Sequence, residues 1–153
     1  MPSPHARSRS KARAAARLAA VQALYQQEME ATPLAVLLNE FHQHRLGATI
    51  EDVEYIDADP NFFDDLVRGV DARRAEIDAM IGGKLAADWS IERLDKPMRQ
   101  ILRAGTYELI ARVDIPVGAV INEYLDVTDA FYDRREKGFV NGILDAIAKE
   151  ARG

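Results

Sequence analysis

Apolar residues in this chain recur at helical spacing almost from end to end. Ala14, Leu18, Val21 and Tyr25 follow the i, i+4, i+7, i+11 rhythm of one helix face. This predicts a first helix from about Ser10 to Glu30, with three consecutive alanines and no internal Gly or Pro to weaken it. Thr32-Pro33 then reads as a helix start, with Leu34, Leu37, Leu38 and Phe41 on the inner face and Gly47 as the stop. Asp59-Pro60 opens a helix that carries Phe63, Leu66, Val67, Val70, Ile77 and Ile81 up to Gly82-Gly83. Ser90 starts a short turn holding Ile91 and Leu94. Pro97 opens the next helix, built on Met98, Ile101, Leu102, Leu109 and Ile110, with Gly105 allowing a neighbour to approach closely. Asp114-Ile115-Pro116 ends it. A helix over about 117–132 carries Val120, Ile121, Tyr124, Leu125, Thr128 and Phe131, and a last one over about 135–151 carries Phe139, Val140, Ile143, Leu144 and Ile147. No segment alternates with period two for long enough to be a strand. The pattern predicts an all-α chain of six or seven helices: a single helical domain over 10–153, preceded by a flexible arm over 1–9.

Length agrees with that plan. A chain of 153 residues can bury about 70% of its unfolded surface, enough for a core without metal or disulfide support. With no cysteine it has neither a disulfide framework nor thiolate ligands, which is compatible with the cytoplasm. No window resembles a membrane span. The basic N-terminus lacks the uncharged apolar core of a secretory signal, and its arginines run into a core helix, unlike a cleavable transit peptide.

Charge changes the picture more. The first 27 residues hold Arg7, Arg9, Lys11, Arg13 and Arg17 and no carboxylate, whereas the remainder holds 15 basic and 25 acidic residues. Arg9, Arg13 and Arg17 repeat every four residues on a face beside the apolar stripe, a comb of guanidinium groups on a rigid mount. Phosphates are its natural target, with Gln22 the nearest neutral group able to read a base.

Catalytic sets are missing. Three of the four serines lie in the basic terminus, His42 and His44 point to different helix faces, and Asp64-Asp65 reads as a solvated pair. The acidic stretch 47–59 lacks the glycine and terminal glutamate of a calcium loop. Gly82-Gly83-Lys84 lacks the remainder of a phosphate loop. The chain is therefore read as a binding protein and not as an enzyme, with no cofactor and no metal.

Three blocks carry a resemblance. Arg13-x-x-x-Arg17 is followed by Ala20-Val21-Gln22-Ala23-Leu24-Tyr25-Gln26. Ile101-Leu102-Arg103-Ala104-Gly105-Thr106-Tyr107-Glu108-Leu109 is followed by Ile115-Pro116 and Val120-Ile121-Asn122-Glu123. The last helix carries Phe139-Val140-Asn141-Gly142-Ile143-Leu144-Asp145. In this order and spacing, over about residues 10–150, the chain resembles the NusB family of bacterial transcription antitermination proteins. The resemblance implies two packed helical bundles, no catalysis, and binding of boxA RNA together with NusE, a ribosomal protein acting as a transcription factor. Other Nus factors and RNA polymerase would complete the assembly, which suppresses termination in ribosomal RNA operons. The family's RNA-contacting arginines map onto Arg13 and Arg17, with Arg7, Arg9 and Lys11 as an auxiliary arm. Its contacts to NusE map onto Tyr25 and Glu108, and less directly onto Asp145. The resemblance leaves open whether an apolar face is buried in a homodimer.

The chain departs from the family pattern in three places. Ala14-Ala15 follow Arg13 where a second arginine is common, Leu18 replaces a glutamate, and Asp129 stands where a lysine is frequent. Arg134, Arg135 and Lys137 are the cations that could compensate. Two other readings compete: the helical RNA-binding domain that precedes some ribosomal RNA cytosine methyltransferases, and a helical interaction protein that binds no RNA.

Overall fold

Asp59 shows how local chemistry opens a helix here. Its carboxylate accepts the backbone N–H of Phe62 at 3.0 Å and its carbonyl accepts that of Phe63 at 3.0 Å, with Pro60 next in the chain where no N–H is needed. The computed structural model describes residues 4–46, 49–50, 53–54 and 58–153. Its helices are α1 (Pro4–Glu30), α2 (Leu34–His44), α3 (Pro60–Ala72), α4 (Arg74–Gly82), α5 (Lys96–Ala111), α6 (Val117–Asp129) and α7 (Arg134–Arg152). A single 3₁₀ turn covers Ile91–Arg93. The chain divides into two compact helical units, Met1–Arg68 and Gly69–Gly153.

In the first unit α1 and α2 are joined by a tight turn. Ala31 takes a left-handed φ of 53° and donates its N–H to the Gln27 carbonyl at 2.9 Å. Gln26 then reaches across to Glu40 at 3.2 Å, and Phe41 of α2 stacks on Phe63 of α3 with centroids 5.5 Å apart. The seam of α1 runs through Ala16, Arg17, Ala20, Val21, Ala23 and Leu24. This is a rotated version of the expected stripe: Ala14 and Leu18 are half-buried and Tyr25 is exposed. Small alanines let neighbouring elements come close, so the buried face follows them and not the bulkier residues.

In the second unit α5 is the central helix, with Met98 and every residue from Gln100 to Leu109 buried. Gly105 earns its place there. A Cβ on it would lie 3.1 Å from both methyl groups of Leu144 on α7. At Gly69, which lies near the end of α3 and in this unit, a Cβ would sit 2.1 Å from the Tyr107 ring. Two polar devices close the unit. Arg152 at the end of α7 donates to the carbonyls of Glu108, Leu109, Arg112 and Ile115 at 2.6–3.1 Å, satisfying the C-terminal turn of α5. Tyr132 accepts the Met98 N–H at 3.1 Å at the opposite end. Burial, with Asp95 nearby, pushes the Tyr132 phenol up to about 12, so it stays neutral at ordinary pH.

Several expectations are corrected. α1 begins at Pro4, upstream of the start near Ser10 that the pattern predicts. Thr32 gives no side-chain cap; Pro33 is the residue before α2. The segment 60–82 is two helices, interrupted at Arg73, whose φ of −110° and ψ of 21° leave the helical region. The apolar stripe continues in phase across that break, which is why periodicity alone missed it. Two-residue strands β1 (Thr49–Ile50) and β2 (Val53–Glu54) pair antiparallel where only a loop was expected. Gly47, and Glu51, Asp52 and Asp57 of the acidic stretch, lie outside the described residues. On α7, Gly142 faces open space and Val140 is fully buried.

Candidate nucleic-acid interface

The basic residues of α1 are not equivalent. Arg9 and Lys11 are exposed, Arg13 is half-buried, and Arg17 is only 4% exposed. The backbone of Arg7 belongs to α1, and its side chain lies outside the described residues. The comb expected from the spacing is therefore graded: its upstream teeth stand in water and its last tooth lies within the fold. Both inner guanidinium groups meet one ring. The guanidinium carbons of Arg13 and Arg17 each lie 4.9 Å from the centroid of Phe62. Phe62 sits in the first turn of α3 and is 3% exposed. α3 is in turn tied to α1 by the Asp59 N–H, which donates to the Ala12 carbonyl at 3.0 Å.

Arg13 keeps unused hydrogen-bonding capacity. Its Nε is out of solvent and has no hydrogen-bond partner among the described residues. Further along α1, Gln22 and Tyr25 are exposed, three residues apart and so on neighbouring positions of one face, where a ligand or partner can reach them.

Glu108 is placed differently from the expectation that it touches a protein partner. It is 0% exposed and accepts the Tyr124 O–H at 2.5 Å in the core of the second unit. With no surface of its own it holds α6 to α5 and cannot meet a partner directly. Asp145 is accessible on α7 but forms an i, i+4 pair with Lys149 at 3.0 Å. Of the cations that could offset Asp129, Lys137 pairs with Asp129 itself at 3.1 Å, leaving exposed Arg134 and Arg135 at the start of α7.

Two features escaped the sequence reading. Phe62 was passed over for Phe63, and the Asn-Phe-Phe run after the Asp59-Pro60 start was the signal for both. The other is a cleft of about 470 Å³ in the second unit, lined by Trp89, Leu94, Met98, Phe139 and Ile143 with a charged rim. Trp89 is half exposed there, with the Arg93 guanidinium 5.1 Å from its ring. Among the described residues, no group of His, Asp or Glu is arranged to hold a metal ion and no helix is long and apolar enough to cross a membrane.

The model of the NusB family matches residues 14–149 of this chain. The chain belongs to the NusB family. It is 67% identical over 144 residues to the transcription antitermination protein NusB of Sphingopyxis alaskensis, covering 94% of this chain and 97% of that protein. Its identity to NusB of Caulobacter vibrioides is 46%, covering 95% and 97%. Among solved structures, T. maritima NusB superposes with a TM-score of 0.75 at 30% identity, covering 100% of this chain and 96% of that one. A crystal structure of NusB and NusE in complex with double-stranded RNA gives a TM-score of 0.75 at 27% identity, covering 92% and 98%. Membership makes this chain a transcription antitermination protein and not an enzyme, and its all-helical fold is that of the NusB structures. The matched range begins within α1, at residue 14, so Arg17 lies inside it and Arg9, Lys11 and Arg13 lie just upstream.

Proposed function

We propose that this chain binds boxA-type single-stranded RNA together with NusE, and thereby suppresses transcription termination in ribosomal RNA operons in the cytoplasm. Other Nus factors and RNA polymerase are the remaining members of the assembly. The observation that carries the reading is the graded basic face of α1, with Arg9 and Lys11 in water and Arg13 mounted on Phe62. Phosphate contacts by Arg9, Lys11 and Arg13 supply affinity, Arg7 and Arg17 extend the set, and Gln22 is the candidate for a base edge. Tyr25 is the residue of α1 that faces NusE, with Asp145 of α7 a second candidate. A similar NusB has been solved together with NusE and RNA, which supports both partners here.

The test is a binding titration with boxA single strand, a scrambled single strand and a boxA duplex, each with and without NusE. Tight binding of the boxA single strand, strengthened by NusE, is expected. Equal binding of the scrambled strand would reduce the protein to a non-specific polycation, and preference for the duplex would overturn the single-strand reading. If all five basic residues contact phosphate, log affinity falls with log salt at a slope of about −3.5, at roughly 0.7 per contact.

A further inference from the structure

One aromatic ring meets two cations in the first unit. Arg13 and Arg17 stand one helical turn apart, and two like charges on flexible stems repel and fan outward unless something holds them. The face of the Phe62 ring attracts both, each guanidinium carbon 4.9 Å from its centroid. The ring itself has little freedom. The backbone N–H of Phe62 donates to the Asp59 carboxylate at 3.0 Å, and the Asp59 N–H donates to the carbonyl of Ala12, the residue before Arg13, at 3.0 Å. Ring and arginine are thus fastened to the same short piece of backbone.

We propose that Phe62 is a positioning residue for RNA binding, a ring that presets the Arg13 side chain for a phosphate. The inference rests on the reading that Arg13 contacts RNA. An arginine loses rotamer freedom when it grips a phosphate, and a side chain already ordered on a ring loses less. Stacking suits this purpose because it engages the face of the guanidinium and leaves its N–H edge for hydrogen bonds. The unpartnered Nε of Arg13 is consistent with a group ordered by stacking and not by a hydrogen-bond acceptor. Phe62 need not touch the RNA; at 3% exposure it acts through Arg13.

The experiment measures affinity of the full chain for a labelled boxA single strand across a salt series, with thermal melts to confirm folding. The variants are Phe62→Leu, Phe62→Met, Phe62→Tyr, Arg13→Ala and Arg13→Ala combined with Phe62→Leu. Removing the ring with Leu or Met should weaken binding about two- to fivefold, and Tyr, which retains the ring, should stay within about twofold of the native chain. On the Arg13→Ala background, Phe62→Leu should add no further loss. Two ring-less variants guard against one that fails to fold. Native affinity for folded Phe62→Leu or Phe62→Met, beside a clear loss in Arg13→Ala, would overturn the positioning role and leave the RNA reading intact. A loss from Phe62→Leu that persists undiminished without Arg13 would overturn it too, because the ring would then act through something else. If Arg13→Ala itself binds as the native chain does, the underlying reading of Arg13 fails, and the proposal fails with it.

Discussion

Arg103 of the second unit and Arg13 of the first are both drawn into the fold from core-packed helices, and they are held in opposite ways. Arg103 is 7% exposed, and the Asp78 carboxylate takes its Nε and Nη2 at 2.8 and 2.9 Å, with Gln100 at 3.4 Å. Its charge is neutralised inside the unit. Arg13 rests on the uncharged Phe62 ring and forms no ion pair with a described residue. An arginine clamped by a carboxylate stabilises a fold and has nothing left to offer a ligand. An arginine stacked on a ring is ordered while its charge remains available. The same residue type in the same secondary structure is thus structural in one unit and a candidate for function in the other.

Breaking the Arg103 clamp should have the largest effect. Asp78→Ala leaves a nearly buried guanidinium without its counter-charge and is expected to cost about 3 kcal/mol by urea denaturation. RNA affinity of the protein that remains folded should be unchanged. A loss below about 1 kcal/mol would mean that water satisfies Arg103, and the contrast with Arg13 would weaken. Arg152→Ala removes four charge-assisted contacts to the end of α5 and should cost about 2 kcal/mol, again without altering the salt dependence of RNA binding.

Arg13→Ala should behave in the reverse sense. Stability should change by less than about 1 kcal/mol, because only a ring contact is lost, while the salt slope of RNA binding flattens by roughly 0.7. A large drop in melting temperature with an unchanged slope would place Arg13 beside Arg103 as a structural residue. The smallest expected effect is that of Asp129→Asn, which releases Lys137 from an exposed pair. Stability should move by no more than about 0.5 kcal/mol, and RNA affinity should rise less than about threefold if α7 contributes a cation to the interface. No rise in affinity would confine the basic interface to α1.

Much of the fold was legible because its punctuation is local. Asp59-Pro60 and Pro97 open helices and Asp114-Ile115-Pro116 ends one by constraints that act within one or two residues, and α3 and α5 begin within a residue of where those signals place them. The break at Arg73 was not legible. One non-helical residue barely shifts the phase of an apolar stripe, so the pattern on either side still reads as one helix. The interface was half legible. The basic run and its helix were evident, but the depth of each arginine depends on how α1 is rotated, and the alanines that set this rotation carry little hydrophobic signal.

Glu108 marks the limit most sharply. The sequence pattern puts Met98, Ile101, Leu102, Leu109 and Ile110 on the inner face of α5 and leaves Gln100, Arg103, Thr106 and Glu108 off it. All four are buried, since neighbouring helices enclose α5, and Arg103 and Glu108 pair with Asp78 and Tyr124. No single-helix pattern distinguishes a polar residue facing water from one facing a partner inside the unit.

By itself, then, the chain's pattern determined an all-helical protein, its main helix boundaries, its lack of catalytic sets and the basic run at its start. Those properties arise from interactions between residues close in sequence, or from composition alone. Only the tertiary structure decided which cations remain available. It laid Arg13 on Phe62, 49 residues along the chain, and closed Asp78 around Arg103. Burial and electrostatic pairing depend on what comes together in space, and for these arginines that is contributed by distant helices.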